Sequence, residues 1–400
     1  MLARPTPEQA AWQDMELIAF AHFGMNTFTN REWGEGTEKP QLFNPTEFDA
    51  RQWVEALKAA GMKLLILTAK HHDGFCLWPS KHTEHSVKNS PWRGGKGDVV
   101  REVAEACRAG GMKFGVYVSP WDRHERTYGS QAYNEHFLDQ LRELLTNYGP
   151  ITEVWFDGAC GEGPNGKRQE YDWPAYYELV RELQPKALIA ICGPDIRWVG
   201  NESGVAREDE TSVQPAPGGE GVRWHPAECD VSIRPGWFYH PAEDDKVKTL
   251  DHLMDIYYQS VGRNSVLLLN VPPDRRGLVH DNDARRLAEF GAEIRRRFGR
   301  SLAETRGRGD VVELSLNARA VIDHVVVMED IRRGERVRGY VIEGCVGGRW
   351  RKLCSGKIIG HKRVHRFEPV KVSAIRLRCV DSAAEPIIRK LAVYDVGGMA

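Results

Sequence analysis

From about residue 15 to residue 300 the chain alternates short, nearly continuous apolar runs with amphipathic stretches of helical period, and few folds accommodate that order. The runs are LIAFAHFGMN (17–26), KLLILTAK (63–70), KFGVYVSP (113–120), TEVWFDGA (152–159), ALIAICG (187–193) and SVLLLNVPP (265–273). A strand covered on both faces reads this way because neither face meets water. Between them lie predicted helices at 48–61, 99–111, 134–149, 174–185, 248–263 and 281–299, several closing on glycine as a helix C-terminus prefers. Repeated strand–helix units imply a parallel sheet with right-handed crossovers. The irregular stretch 200–247, rich in Gly, Pro and Trp, is expected to hide two further short strands, which completes a (β/α) barrel. An open doubly wound sheet is the alternative, but no glycine-rich nucleotide fingerprint follows any strand.

After about residue 303 the pattern changes. VVELSLN, VIDHVVVME, VRGYVIEGCV, RWRKLCSG, HRFEPVKVSAIRLRCVD and KLAVYDV are β-type segments parted by glycine and charged turns. They predict an all-β sandwich. The expected division is therefore a catalytic barrel over 1–302 and a β-sandwich over 303–400, which suits a chain of 400 residues.

The formal net charge of −1 gives no electrostatic reason to expect nucleic acid or an anionic membrane as partner. No apolar run approaches the roughly 20 residues of a membrane helix. The N-terminus MLARPTPEQAAWQDMELIAF lacks the layout of a secretory signal, so a cytoplasmic location is expected, with a trimmed leader as the alternative. The eight cysteines are scattered without a C-x-x-C pair, which reads as reduced thiols packed as small hydrophobes rather than a zinc site. No cofactor is called for, and nothing here bears on oligomeric state.

In a (β/α) barrel the chemistry gathers at the C-terminal ends of the strands. The residues after each predicted strand are His22 with Glu32 and Trp33, then Lys70, His71, His72, Asp73 and Trp78, then Trp121 and Asp122, then Trp155 and Asp157. GPDIRWVGNESG follows with Asp195, Arg197, Trp198 and Glu202, and SIRPGWFYH with Arg234, Trp237 and His240. Aromatic rings cover the apolar faces of sugars, while His, Asp, Glu and Arg bond their hydroxyls. Two carboxylates flanking one glycosidic bond are the minimum hydrolytic machinery.

Asp157 ends an apolar strand beside the small Gly158 and Ala159, which suits a nucleophile; a turn aspartate at a strand–helix junction is the bland alternative. Glu202 in the glycine-flanked GNESG loop suits a general acid, although loop glutamates are usually just solvated, and Glu208, Glu210 and Glu228 compete for the role. His71 and His72 are adjacent, and neighbours on an extended chain point to opposite sides, which disfavours a shared metal ion and favours hydrogen bonds to ligand hydroxyls. Any one of Trp78, Trp155 and Trp237 is more often packing than a sugar platform.

As an ordered set, HFGMNTFTNREWG, KHHDGFCLW and VWFDGA resemble glycoside hydrolase family 29, the α-L-fucosidases, over most of residues 15–275. GPDIRWVGNESG and DVSIRPGWFYH further resemble the subgroup that prefers α-1,3- and α-1,4-linked fucose. The resemblance implies a retaining hydrolase with Asp157 as nucleophile and Glu202 as acid/base. It implies a fucose pocket of His22, Glu32, Trp33, His71, His72, Tyr117, Trp155, Arg197 and Trp237, acting on fucosylated oligosaccharides without a metal. The C-terminal segment resembles the sandwich that follows the barrel in these enzymes; packing on the barrel only, lending a loop to the leaving-group side and independent carbohydrate binding are the alternatives. Two readings compete: another barrel glycosidase such as an α-galactosidase, and a non-catalytic glycan-binding protein on a degenerate barrel.

Overall fold

A computed structural model describes residues 2–397. Eight parallel strands form one nearly closed sheet: β1 (Leu17–Ala21), β2 (Leu64–Lys70), β3 (Lys113–Val118), β4 (Glu153–Phe156), β5 (Leu188–Ile191), β6 (Arg197–Trp198), β7 (Ala227–Ser232) and β8 (Val266–Asn270). Their order is β5-β4-β3-β2-β1-β8-β7-β6, with every neighbouring pair parallel. β5 and β6 lie side by side without a ladder and bring the ends of the sheet together.

The six predicted apolar runs are six of these strands. The remaining pair departs from expectation. β7 lies inside 200–247, but β6 comes before it, only a turn after β5 and with no helix between. A two-residue strand in place of a full strand–helix unit carries no periodic signal. The stretch 200–247 also holds a small antiparallel hairpin, Val213–Pro215 with Val222–Trp224.

Alternation along the strands builds two apolar layers. Ile18 and Phe20, Leu64 and Ile66, and Val266 and Leu268 point into the barrel, where Trp12, Tyr117 and Trp155 join them. Leu17 and Ala19, Leu65 and Leu67, and Leu267 and Leu269 face the helices. Each fully buried Leu or Ile contributes about 1.5–3 kcal/mol. The helices run Ala50–Ala59, Val99–Gly110, Gln131–Asn147, Trp173–Leu183, Leu250–Gln259 and Asp281–Phe298, within a few residues of expectation. Asp49, Asp98, Asp172 and Thr249 cap four of them by accepting backbone N–H groups. A short helix absent from the sequence reading, Pro7–Gln13, carries a Thr6–Gln9 capping box and sends Trp12 into the barrel.

Residues 303–394 form a six-stranded antiparallel sheet. Its two long strands, Val311–Glu329 and Arg363–Ser382, pair along their length with register breaks after Ser315 and Ile322. The predicted segments VVELSLN and VIDHVVVME are thus one strand. The half near Val325 pairs with Ile387–Tyr394, whereas the far half of Arg363–Ser382 pairs with Val337–Val346. The sheet folds over at the breaks, and Val312, Val325, Ile342, Leu377 and Leu391 share one core between its layers. Against the barrel, Phe298 stacks on Tyr257 and meets Tyr394 edge-on. Glu16 at the foot of β1 pairs with Lys362 at 2.6 Å and with His361 at 3.0 Å. All eight cysteines are free thiols.

Candidate active site

At the C-terminal end of the barrel, ten side chains singled out from the sequence border one cavity of about 170 Å³: His22, Glu32, Trp33, His71, His72, Tyr117, Trp155, Asp157, Glu202 and Trp237. Phe20, Ala159 and Asp230 complete the lining. Arg197 is not there. Its guanidinium turns to the barrel's flank, donating to the His225 carbonyl at 3.1 Å and pairing with buried Glu210. The next residue, Trp198, reaches the cavity-lining Asp230, and adjacent strand residues face opposite sides, so Arg197 faces away.

Asp157 lies just beyond β4. Its Oδ2 accepts the Tyr117 hydroxyl at 2.8 Å and its Oδ1 the Ala159 N–H at 2.8 Å. Burial and the Asp157 charge raise the Tyr117 phenol well above its ordinary range, so it remains a donor. Tyr117 itself is sandwiched, stacked on His71 at 5.7 Å and on Trp155 at 5.2 Å between centroids.

Three imidazoles crowd beside it. β2 ends at Lys70 and the chain turns at once, so His71 and His72 face the same cavity with centroids 4.1 Å apart. The expectation that they diverge, drawn from extended geometry, is corrected by that turn. Burial holds His22 down to about 3 and His72 to about 4, and burial with the neighbouring rings keeps His71 well below its usual value. All three are neutral near pH 7.

Their tautomers follow from their partners. Asn270 gives its amide N–H groups to Ser232 Oγ and the Trp237 carbonyl, so its Oδ1 accepts from His22 Nδ1 at 2.9 Å. Ser119 donates to the Trp121 carbonyl, so it accepts from His72 Nδ1 at 2.7 Å. Asn26 donates to the Glu32 carbonyl at 3.0 Å and reaches His71 Nδ1 at 3.3 Å, making that nitrogen the acceptor. His22 and His72 therefore keep an accepting Nε2 and His71 a donating one. Among the described residues no group of three or more His, Cys, Asp or Glu side chains is gathered to hold a metal ion.

Lys70 donates to Asp122 and Gln140, both at 2.9 Å. Burial opposes the Asp122 charge, yet Lys70 and the His124 and Glu125 N–H groups hold it down to about 2. Under the cavity, Trp155 Nε1 donates to Glu228 at 2.8 Å and Trp12 Nε1 to Glu153 at 2.7 Å. The two glutamates lie together in the barrel core, where Glu153 Oε1 and Glu228 Oε2 have no hydrogen-bond partner among the described residues. Burial, then the Glu153 charge, pushes Glu228 well up, so it keeps a proton near neutrality.

Glu202 sits exposed in the loop after β6. Asn201 ties that loop by accepting from Ser203 N–H and donating to the Val205 carbonyl. Gly204, at φ +72° and against Val231 and Ile256, leaves no room for a Cβ. Glu202 Oε2 accepts from Trp237 Nε1 at 3.2 Å. The competing acids stand elsewhere: Glu208 lines a different recess, Glu210 is spent on Arg197, and Glu228 lies below Trp155. Glu32 accepts from Trp237 N–H, Phe238 N–H and His240, so it also fastens the loop that carries Trp237.

Trp78 is core, donating to Glu143 at 2.7 Å, Asp195 pairs with Arg181, and Arg234 with Asp283. Reading strand ends overlooks Phe20, an inward residue of β1, and Asp230 in β7. Asp230 accepts from Trp198 Nε1 at 2.7 Å, and burial pushes its carboxyl up to about 8, so it offers a proton to a ligand hydroxyl near neutrality. The alternation in AECDVSI signalled that strand.

A profile of the α-L-fucosidase family matches residues 4–297. The α-L-fucosidase 1 of Arabidopsis thaliana is 41% identical, over 98% of this chain and 88% of that protein. The crystal structure of a family 29 glycoside hydrolase from an unknown rumen bacterium superposes with TM-score 0.94 at 44% identity, covering 100% of this chain and 78% of that one. A Ruminococcus gnavus family 29 fucosidase solved in complex with fucose gives TM-score 0.89 at 32% identity, covering 99% and 96%. With a matched profile across the barrel and relatives aligned over nearly its full length, the chain belongs to the α-L-fucosidases of glycoside hydrolase family 29 and is a glycoside hydrolase.

Proposed function

We propose that this α-L-fucosidase is a retaining exo-enzyme that releases fucose from α-1,3 and α-1,4 linkages by double displacement. The observation that carries the reading is that Asp157, beyond β4, and Glu202, beyond β6, border one cavity of about 170 Å³. That is well under the roughly 300–1,000 Å³ of drug-sized pockets and suits a single sugar ring, hence removal of terminal residues.

Asp157 attacks the anomeric carbon as its bond to the leaving oxygen breaks, and protonated Glu202 gives its proton to that oxygen. A β-fucosyl ester forms on Asp157. Ionised Glu202 then takes a proton from water, whose oxygen displaces the carboxylate and restores the α-anomer. Tyr117 orients the nucleophile. The two accepting and one donating imidazole nitrogens match hydroxyls fixed around a ring, and Trp155 and Trp237 supply apolar faces. Arg197 has no part in this set. Linkage preference rests on the resemblance of GPDIRWVGNESG and DVSIRPGWFYH to the branched-substrate subgroup.

In the Asp157→Ala variant kcat falls by several orders of magnitude with the fold intact; normal turnover rejects the nucleophile. Glu202→Ala loses little on substrates with a good leaving group, and added azide yields α-fucosyl azide. Rescue in a Glu208 or Glu228 variant instead moves the acid/base role. Cleavage of a Lewis-type trisaccharide but not of an α-1,2-fucoside supports the linkage reading, and equal cleavage rejects it.

A further inference from the structure

Away from the active site, a recess of about 690 Å³ runs along the seam between the helix Leu250–Gln259 and the C-terminal sheet. Arg263 and Arg363, both in its lining, stand opposite each other as an antiparallel bridge. Val364 N–H to the Gly262 carbonyl and Asn264 N–H to the Lys362 carbonyl flank them. Residues so opposed project to one face with Cβ atoms about 4.5–5.5 Å apart, and like charges placed there repel.

The Arg363 side of this pair is costly. The residue is 5% exposed. Its Nε donates to the Ile358 carbonyl at 2.7 Å, but Nη2 has no partner among the described residues. Burial works most strongly against the cation and the charge of Arg263 adds to it, while Tyr340, Glu335 and Glu210 offset part of that. Arg263 gives Nη1 to the Ala206 carbonyl at 2.9 Å. Of the three carboxylates at the rim, Asp209 pairs with Lys357 and Asp255 with Arg366, while Glu208 is exposed. Tyr340 and His365, hydrogen-bonded to each other at 2.7 Å, add polar groups to the wall.

Two arginines opposed at the backbone in one recess, one buried with a donor unspent, match an oxyanion: its oxygens accept from their free N–H groups and its charge offsets their repulsion. We propose that this seam is a binding site for one oxyanion group, carboxylate, sulfate or phosphate, carried on an acidic sugar. A bare inorganic anion is the other source of the same chemistry, but the recess is several times larger than such an ion and of the size that holds a small organic ligand. The site is separate from the catalytic cavity, so the inference does not depend on the linkage or mechanism proposed above.

Calorimetric titration of the whole protein with 3′-sialyllactose, inorganic sulfate and lactose, at ionic strength matched with chloride, tests it. None of these carries fucose, and lactose, which shares the galactose of sialyllactose, controls for binding in the catalytic cavity. The expected result is binding of sialyllactose, competition by sulfate and no binding of lactose. Arg263→Gln weakens both charged ligands by at least about tenfold, the loss of a hydrogen bond to a charged group. If that variant does not fold, Arg363→Lys, which keeps the charge and removes the fork, gives the same loss. Sulfate binding without sialyllactose binding overturns the acidic-sugar source. Absence of both, or unchanged affinity in the folded variants, overturns the site.

Discussion

Replacing Lys70 with methionine tests the electrostatic frame that holds the paired histidines. Lys70 and Asp122 are 0% and 2% exposed in their side chains, with Nζ to Oδ2 at 2.9 Å. Methionine fills most of the space but leaves a buried carboxylate without its cation. Breaking a buried pair from one side costs about 3–5 kcal/mol. The depression of the wild-type Asp122 carboxyl, net of burial and of its two backbone N–H bonds, gives a comparable magnitude. The drop from 3.8 to about 2 is worth about 2.5 kcal/mol, at 1.36 kcal/mol per pKa unit.

The pH dependence makes the prediction specific. In the wild type the folded pKa is depressed, so the pair's contribution is complete above 3.8 and lost as pH falls towards about 2. Without Lys70, burial is opposed only by the His124 and Glu125 N–H groups, and as the largest influence on Asp122 it raises the folded pKa above the unfolded one. Asp122 then binds its proton more tightly when folded, and stability falls as pH rises through the new value. Denaturant unfolding at pH 7.5 therefore shows the full loss of about 3–5 kcal/mol, and at pH 4.5 a loss smaller by about 1 kcal/mol or more. An equal loss at both pH values would refute the claim that Lys70 neutralises Asp122. Because His71 and His72 follow directly and His72 packs on Trp121, 4.7 Å between centroids, KM for a nitrophenyl fucoside rises as well.

Arg197→Met leaves Glu210 buried and unpaired, so it costs about 3–5 kcal/mol in unfolding experiments while kcat/KM stays within about twofold; a selective loss of kcat/KM would return the arginine to the pocket. Asn270→Asp sets a carboxylate against His22 Nδ1, which favours the imidazolium and moves the acid limb of kcat/KM up by about 1–3 pH units; an unmoved limb would contradict the tautomer deduced for His22. Thermal unfolding against pH is expected to peak on the acid side of neutrality. The pocket histidines, depressed from 6.5 to about 3 and about 4, contribute fully above 6.5 and lose that contribution as pH falls below it. Asp73 and Glu329, raised to about 7, and Asp230, raised to about 8, contribute fully at low pH and lose it as pH climbs through those values. The two slopes oppose between about pH 4 and 6.5, so a midpoint rising steadily from pH 6.5 to 8 would contradict the burial of these carboxyls.

The barrel was legible wherever local pattern and burial agree. β1 to β5 and β8 announce themselves because both faces are apolar, and a barrel strand then delivers whatever polar residue ends it to one rim. That is why His22, His71, His72 and Asp157 could be read from position alone. The rule fails where backbone departs from it. β6 has only two residues, too few for a period, so Arg197 looked like a rim residue although its side chain is committed to Glu210. Asp230 was hidden for another reason: 200–247 was expected to hold strands but their positions were not fixed among its glycines and prolines, so no strand residue could be assigned there.

What no periodicity could disclose is the layer behind the pocket. Asn270, Ser119 and Asn26 each touch one histidine, and each comes from a different part of the barrel rim. A hydrogen-bond partner leaves no trace in local pattern, because an Asn ending a strand has the same signature whether it fixes an imidazole or meets water. Yet these partners decide which ring nitrogens accept and which donate. With the imidazoles held neutral by burial, that choice determines which orientation of a sugar's hydroxyls the cavity rewards. On the proposed mechanism Asp157 and Glu202 carry the hydrolysis, and the buried amides and hydroxyl behind the histidines set which sugar hydroxyls the cavity accepts. A variant of one of these supporting groups should therefore change discrimination between fucose and its analogues more than it changes the chemical step.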